Sequence, residues 1–277
     1  MGSIAHRAAV LGKPISHSLS PVLHNAGYAA AGLTDWSYVA VECDEAALPG
    51  LVAGLGPDWV GLSLTMPLKE VALTVATSVS APAAAVGAAN TLVRRPDGWF
   101  ADNTDIIGMV ALLRDAGIGP GARFVVLGAG GTARGALAAA AQLDAAGVTI
   151  VARRPEAIDD LRPVAAALGL PLTGASWTDA AAQVDADVVI STVPKGVADP
   201  LAVGSPWRAG TVFFDAIYDP WPTPLADAAR CAGCRILSGL DLLHAQALGQ
   251  FEHFTGVAAP AEAMRSALHA ARAGVTA

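Results

Sequence analysis

Apolar residues are distributed along the chain in short, nearly unbroken blocks separated by longer stretches of helical spacing. Arg7–Gly12 reads as a short buried strand ending at glycine, and a helix is predicted after Pro21. Trp36–Cys43 and Trp59–Leu64 read as further strands, with helical segments between and after them. Thr91–Arg95 and Trp99–Ala101 flank Pro96-Asp97-Gly98, a hairpin turn signal. A helix is predicted from Thr104, placed to cap it, to about Ala116, where Gly117, Gly119, Pro120 and Gly121 end it. This helix is the expected bridge between two domains.

A second β-α-β series begins at Arg123. RFVVLG reads as a strand, Gly131–Ala146 as a helix stopped by Gly147, and VTIVA, DVVIST and TVFFDAIY as further strands. Each strand is almost wholly apolar, the pattern of parallel strands covered on both faces. After Arg235-Ile236-Leu237 the spacing turns helical, giving helices over Ser238–Phe254 and Ala261–Ala271 that fit one more strand-helix unit poorly. The fold class expected is α/β. An N-terminal α/β domain (1–103) is completed by C-terminal helices returning from 239–277, and a Rossmann-like doubly wound dinucleotide-binding domain spans 104–238.

Composition narrows the function. The chain has 277 residues, 53% of them hydrophobic, enough for two ordinary cores. A mean hydropathy of +0.48 raises the question of a membrane. A span needs about 20 uninterrupted apolar residues, and the longest candidate, Gly135–Val151, is broken by Gln142 and Asp144. The opening MGSIAHRAAVLG is too short and too soon interrupted for a signal peptide, so a cytoplasmic location is expected. A net charge of −7 argues against nucleic acid as a partner. Cys231 and Cys234 form one CxxC without a second pair, so they read as ordinary thiols. His24, His244 and His253 lack metal-ligand spacing, and no metal is expected.

The segment after RFVVLG is Gly128-Ala129-Gly130-Gly131-Thr132-Ala133, a G-x-G-x-x-A turn between strand and helix. Gly128 permits the tight turn, Gly130 lets backbone approach a pyrophosphate, and Ala133 permits close helix–strand packing. Within a strand–turn–helix–strand unit this points to a dinucleotide. Arg153, 20 residues after Ala133, and Arg154 stand at the second strand's tip, with no carboxylate there. A guanidinium suits a 2′-phosphate, so NADP is expected over NAD, and Arg134 can add charge.

In the first half, Ser16, Ser18 and Ser20 follow a strand, as a polyol cradle would. Lys69 follows the strand VGLSL, Asn90 offers both donor and acceptor, and Asp105 can pair with a lysine. These strings resemble the shikimate dehydrogenase family nearly end to end, in seven ordered matches: Gly12–Pro21, Leu64–Lys69, Asn90–Leu92, Asp102–Asp105, Gly128–Ala133, Tyr218–Leu225 and Gly239–Gln246.

The resemblance implies NADPH-dependent, reversible reduction of 3-dehydroshikimate to shikimate, on the route to chorismate and the aromatic amino acids. It implies Lys69 and Asp105 as the catalytic pair. Ser18 and Ser20 would hold the substrate carboxylate; Thr65, Asn90, Asp105 and Gln246 the ring hydroxyls. Tyr218 would line the pocket, and Gly239 would touch the cofactor. His17 is expected to lock the Ser18 loop.

Three positions depart from the family: Ser63 where an Asn is usual, Ala152-Arg153-Arg154 in place of N-R-T, and Ser191-Thr192-Val193-Pro194 in place of N-A-T-S. The alternative is a quinate/shikimate dehydrogenase with relaxed substrate or cofactor choice; relatives that use quinate tend to carry Thr where this chain has Ser20. A folate-linked methylene dehydrogenase does not suit the serine cradle. A non-catalytic sensor would lack Lys69 or Asp105. The sequence does not report oligomeric state, and a homodimer is open to it.

Overall fold

The apolar blocks sort into two separate six-stranded sheets. The structure, a computed structural model, describes residues 5–275; Met1–Ile4, part of the segment weighed as a leader, lie outside them. The chain divides into two units, one holding the residues up to Asp105 and from Leu243 onward, the other Ile106–Leu242. Among the described residues no helix is long and apolar enough to cross a membrane.

The first unit runs β1 (His6–Gly12), α1 (Ser20–Ala30), β2 (Trp36–Glu42), α2 (Leu48–Ala53), β3 (Trp59–Leu64), α3 (Ala72–Val75), β4 (Ser78–Val79), α4 (Ala81–Val86), β5 (Thr91–Arg95) and β6 (Gly98–Asp102). Its sheet order is β2-β1-β3-β5-β6-β4. β1 pairs parallel with β2 and β3, whereas β5 runs antiparallel to β3 and forms the hairpin with β6. This mixed pairing matters for function. The ends of β1, β3 and β6 and the start of β5 all fall at one end of the sheet, with Ser63 opposite Thr91 and Thr91 opposite Asp102.

Helix α5 (Thr104–Asp115) leads into the second unit and α11 (Gly239–Thr255) leads back, followed by α12 (Ala261–Val275). The returning helices cover the first sheet. Gly61 lies directly beneath the Phe254 ring, where any Cβ would collide, and α1 packs on α12.

The second unit runs β7 (Arg123–Leu127), α6 (Gly131–Gln142), β8 (Gly147–Ala152), α7 (Pro155–Asp159), α8 (Arg162–Ala167), β9 (Leu172–Ser176), α9 (Ala180–Gln183), β10 (Val188–Ser191), β11 (Val212–Asp215), α10 (Pro224–Cys231) and β12 (Arg235–Ser238). Its order is β9-β8-β7-β10-β11-β12, parallel throughout. This is the doubly wound Rossmann-like arrangement, whose order reverses between β7 and β10; ligands of such sheets bind beyond the strand ends at that reversal. Val125, Leu127, Val189 and Phe213 are buried on one core cluster, and the alternating Phe124, Val126, Ile190 and Phe214 are equally buried. Both faces are covered, as unbroken apolar strands require.

Two expectations need correction, and two edge strands join the second sheet. Helix α6 ends at Gln142 rather than Ala146, because Asp144 takes a left-handed conformation (φ 52°) and Gly147 opens β8. Thr104 does not cap α5 with its hydroxyl, which is buried against Asn90, Thr91 and Gln246. The edge strands β9 and β12 carry no sequence signal of their own: LTGAS is half-exposed with a central glycine, and RILS is four residues long.

A polar anchor holds the end of β11. Thr223 caps α10, its hydroxyl accepting from Ala226 N at 3.1 Å and donating to Asp215 Oδ2 at 2.8 Å. Burial pushes the Asp215 carboxyl up, against the pull of Thr223 and the Ile217 N–H. Thr223→Ala is expected to cost about 1–2 kcal/mol in denaturant unfolding, and Thr223→Ser to recover most of it. Equal losses in both variants would show that the methyl, not the hydroxyl, matters.

Candidate active site

At the functional end of the first sheet, backbone hydrogen bonds tie the loops together. Lys13 N donates to Met66 O (3.0 Å), Leu64 N to Asn90 O (2.7 Å) and Ala89 N to Lys69 O (2.7 Å). The loops carrying Thr65–Lys69 and Asn90 are thereby fixed side by side, independent of their side chains. Leu68 is fully buried and anchors the turn from below.

On this frame Lys69 Nζ donates to Asp105 Oδ2 at 2.6 Å. Both side chains keep a modest exposure, 24% and 18%, so the pair is accessible to a ligand without being fully solvated. Asn90 is 2% exposed and Gln246 6%. Asn90 Nδ2 donates to Thr104 Oγ1 at 3.1 Å and Gln246 Oε1 at 3.3 Å. Thr65 is half-buried in the same loop as Lys69.

Ser18 and Ser20 sit in the loop after β1, at the same sheet end. Ser20 N donates to Ser18 Oγ at 3.3 Å, and Ser18 N to Ile15 O at 3.0 Å. Among the described residues no hydrogen bond joins these serines to Lys69, Asp105 or Asn90. The expected lock by His17 is not found: His17 is exposed, and the loop is braced by the Ser18 hydroxyl itself.

Behind these residues lies a polar layer that the sequence did not disclose. Tyr38 OH donates to Ser63 Oγ (2.6 Å), Ser63 to Gln250 Oε1 (2.7 Å), and Gln250 Nε2 to Asn90 O (3.1 Å) and Thr91 Oγ1 (3.0 Å). Gln250 is one helical turn beyond Gln246 on α11, the only signal that could have pointed to it. Ser63, short where an Asn was expected, reaches its partner because Gln250 comes to it. Nearby, Asp102 binds His253 Nε2 (2.9 Å), Ser80 Oγ (2.6 Å) and Asn103 N (2.8 Å). Burial works against this carboxylate, but those three donors outweigh it and hold its pKa below the ordinary range.

In the second unit the glycine turn leaves β7 at the reversal of strand order. Gly128 has φ 109°, and a Cβ there would sit 2.5 Å from Thr192 Oγ1, so only glycine fits. At Gly130 and Gly131 a Cβ would meet nothing within 4 Å, and no side chain caps α6. The first turn of a twelve-residue helix thus begins at two exposed glycines with no side-chain cap, a fit for a pyrophosphate. Ala129 and Thr132 flank them, and Ala133 is fully buried against the sheet.

Arg153 and Arg154 are exposed at the end of β8. Arg153 borders an open hollow of about 250 Å³ together with Arg162, Asp159 and Ser176. Arg162 Nε donates to Asp159 Oδ1 at 2.9 Å. A carboxylate absent from the strand tip is thus supplied from α7, engaged with its own arginine. Tyr218 is half-buried after β11, and burial, then Asp219, raise its phenol pKa. Gly239 begins α11, its Cα pressed on the Ala216 carbonyl too closely for a Cβ. Among the described residues no group of three His, Cys, Asp or Glu side chains could hold a metal. The CxxC cysteines are free, Cys231 exposed and Cys234 buried.

The fold and these residues define a two-unit α/β protein of the Rossmann-like, dinucleotide-binding class. Residues 10–92 match the shikimate dehydrogenase substrate binding domain, and 239–269 the shikimate 5′-dehydrogenase C-terminal domain. The shikimate dehydrogenase (NADP(+)) of Moorella thermoacetica is 35% identical over 273 residues, 95% of this chain and 92% of that one. The crystal structure of Mycobacterium tuberculosis shikimate dehydrogenase is 47% identical and superposes with a TM-score of 0.87, over 96% of this chain and 99% of the other. That of the Thermus thermophilus shikimate 5-dehydrogenase, in complex with NADP(H) and shikimate, is 30% identical, with a TM-score of 0.82 and coverage of 96% and 99%. The chain belongs to the shikimate dehydrogenase family.

Proposed function

We propose that this protein catalyses the reversible NADPH-dependent reduction of 3-dehydroshikimate to shikimate, in the cytoplasm, on the route to chorismate. Unit 1 takes the substrate and unit 2 the cofactor. The observation that carries the reading is the 2.6 Å Lys69–Asp105 pair at the strand ends, partly open, in the same unit as the hydrogen-bonded Asn90 and Gln246.

When bound, NADP supplies the hydride chemistry. The N–H groups of Gly130 and Gly131 hold its pyrophosphate, and Arg153, aided by Arg154, its 2′-phosphate. Lys69 moves the proton. As an ammonium it spends one N–H on Asp105 and has two left to give toward a carbonyl oxygen; in the reverse direction the neutral amine accepts the hydroxyl proton. Asp105 orients the amine and keeps a second oxygen for a ring hydroxyl. Asn90 and Gln246 hold the other hydroxyls and Ser18 and Ser20 the carboxylate, with Gly239 at the cofactor.

The test is spectrophotometric. Shikimate with NADP⁺ is expected to give a steady rise in reduced-nicotinamide absorbance. NAD⁺ should lower kcat/KM by roughly 10–100-fold, the worth of one or two charge-assisted bonds to the phosphate. Quinate should be turned over more slowly than shikimate. Absence of any rise with shikimate and NADP⁺ sinks the reading; a preference for quinate transfers it to the quinate/shikimate alternative.

A further inference from the structure

We propose that Gln250 is a positioning residue, acting through Thr91 to lock the Asn90 carboxamide with its oxygen inward and its NH₂ toward Gln246, so that Asn90 meets the substrate only as a donor. This rests on the reading of Asn90 and Gln246 as substrate contacts.

Amide oxygen and nitrogen are assigned from their partners, and here two partners are backbone groups whose roles are fixed. Thr104 N can only donate, and it lies 2.8 Å from Asn90 Oδ1. The Asn90 main-chain oxygen can only accept, and it lies 3.1 Å from Gln250 Nε2. With both amides fixed, the Ser63 and Tyr38 hydroxyls have one assignment each, and Thr91 gives its proton to the shorter of two contacts, 2.8 Å to Asn90 Oδ1 against 3.4 Å to Thr104 Oγ1. Gln250 presents its oxygen to Ser63, so Ser63 donates to it at 2.7 Å; the Ser63 proton is then spent, and Tyr38 must donate to Ser63 at 2.6 Å. Thr91 accepts from Gln250 Nε2 at 3.0 Å, so its own proton goes to Asn90 Oδ1 at 2.8 Å.

Asn90 Oδ1 thus receives an N–H and an O–H from behind and has little left to offer a ligand. Its Nδ2 donates to Thr104 Oγ1 at 3.1 Å and to Gln246 Oε1 at 3.3 Å, so a ligand hydroxyl is read by inserting into the longer of these two bonds. Gln246 is polarised in the complementary sense, its Nε2 turned back to Leu243 O at 2.8 Å and its oxygen kept forward. The pair therefore reads a hydroxyl as both acceptor and donor, which a ring hydroxyl satisfies and a methyl or hydrogen does not. All the relay members, Tyr38, Ser63, Thr91 and Gln250, are at most 4% exposed, so water cannot substitute for a missing donor.

The experiment compares Thr91→Val, which removes the hydroxyl at nearly constant shape, with Thr91→Ser, which restores it. In the full-length protein, Thr91→Val is expected to raise KM for shikimate on the order of tenfold. The contact is made equally in ground and transition states, so kcat should stay within about twofold, as should KM for NADP⁺. Thr91→Ser is expected to return KM for shikimate close to wild type. Gln250→Glu, whose carboxylate accepts the Thr91 proton instead of donating to it, should reproduce the Thr91→Val shift and serves if that variant does not fold. An unmoved KM for shikimate, an equal rise in the Val and Ser variants, or a parallel rise for NADP⁺ would overturn the relay. A wild type that ignores shikimate overturns the functional reading and the relay with it; an active wild type with unmoved variants overturns the relay alone.

Discussion

Lys69→Ala is expected to lower kcat by roughly 10²–10⁴-fold, the range for removing a positioned acid–base group, while the protein remains folded. The fold should survive because nothing in the core depends on this side chain. The loop is held by its main chain, through Ala89 N to Lys69 O, and by Leu68 packed beneath it. Asp105 loses its partner but is 18% exposed and can recruit water. Lys69→Arg should not rescue, since a guanidinium cannot surrender a proton at neutral pH and its fork does not fit the 2.6 Å geometry with Asp105. Stopped-flow or steady-state rates with saturating shikimate and NADP⁺, beside a thermal melt, decide the matter. A variant within about threefold of wild-type kcat would remove Lys69 from proton transfer.

The sequence displayed the second unit more openly than the first. Val125, Val126, Val189 and Phe213 sit in runs apolar on both faces, and a glycine turn after such a run has few other uses. Edge strands escaped because one face of each is wet: β9 has Gly174 at its middle and β12 only Leu237 and Ser238 buried. In the first unit, Lys69 and Asp105 are separated by 36 positions and Asn90 and Gln246 by 156, so no local spacing could join them. Lys69, Asn90 and Asp105 stood out singly by residue type and place, Gln246 only by the resemblance, and the structure gives them their neighbours. The supporting layer was invisible for a different reason. Ser63 alternates with leucines as in any half-buried strand, Tyr38 and Thr91 sit beside other polar residues, and a glutamine on a helix ordinarily faces water. Asp159 was missed because its pairing with Arg162 spans a helix break. For His24, nothing in the flanking residues marks a side chain that is wholly enclosed.

That enclosure sets the pH response of the fold. The His24 ring is 0% exposed and stacked on Tyr38 at 4.1 Å, with Tyr28 and Phe254 at its other sides. Among the described residues neither ring nitrogen has a hydrogen-bond partner. Burial drives its pKa down to about 3, and the Gln250 side chain, too poorly aligned to count as a partner, offsets only part of that. Between pH 6.5 and about 3 the unfolded chain binds a proton here that the folded chain refuses. Stability from the neutral ring is therefore full above pH 6.5 and lost as pH falls, at about 1.4 kcal/mol per unit. Between pH 7.5 and 4.5 the loss from this residue alone should reach about 3 kcal/mol. His24→Phe keeps the stacked aromatic face and removes the titration. Urea unfolding of both proteins across that range isolates the term, since the acids common to both, Asp102 among them, cancel in the difference. The gap between the two curves should widen steadily below pH 6.5 in favour of the Phe variant. Parallel curves would mean that the folded protein admits a charged ring at this position, and that Tyr38 and Gln250 rearrange to receive it.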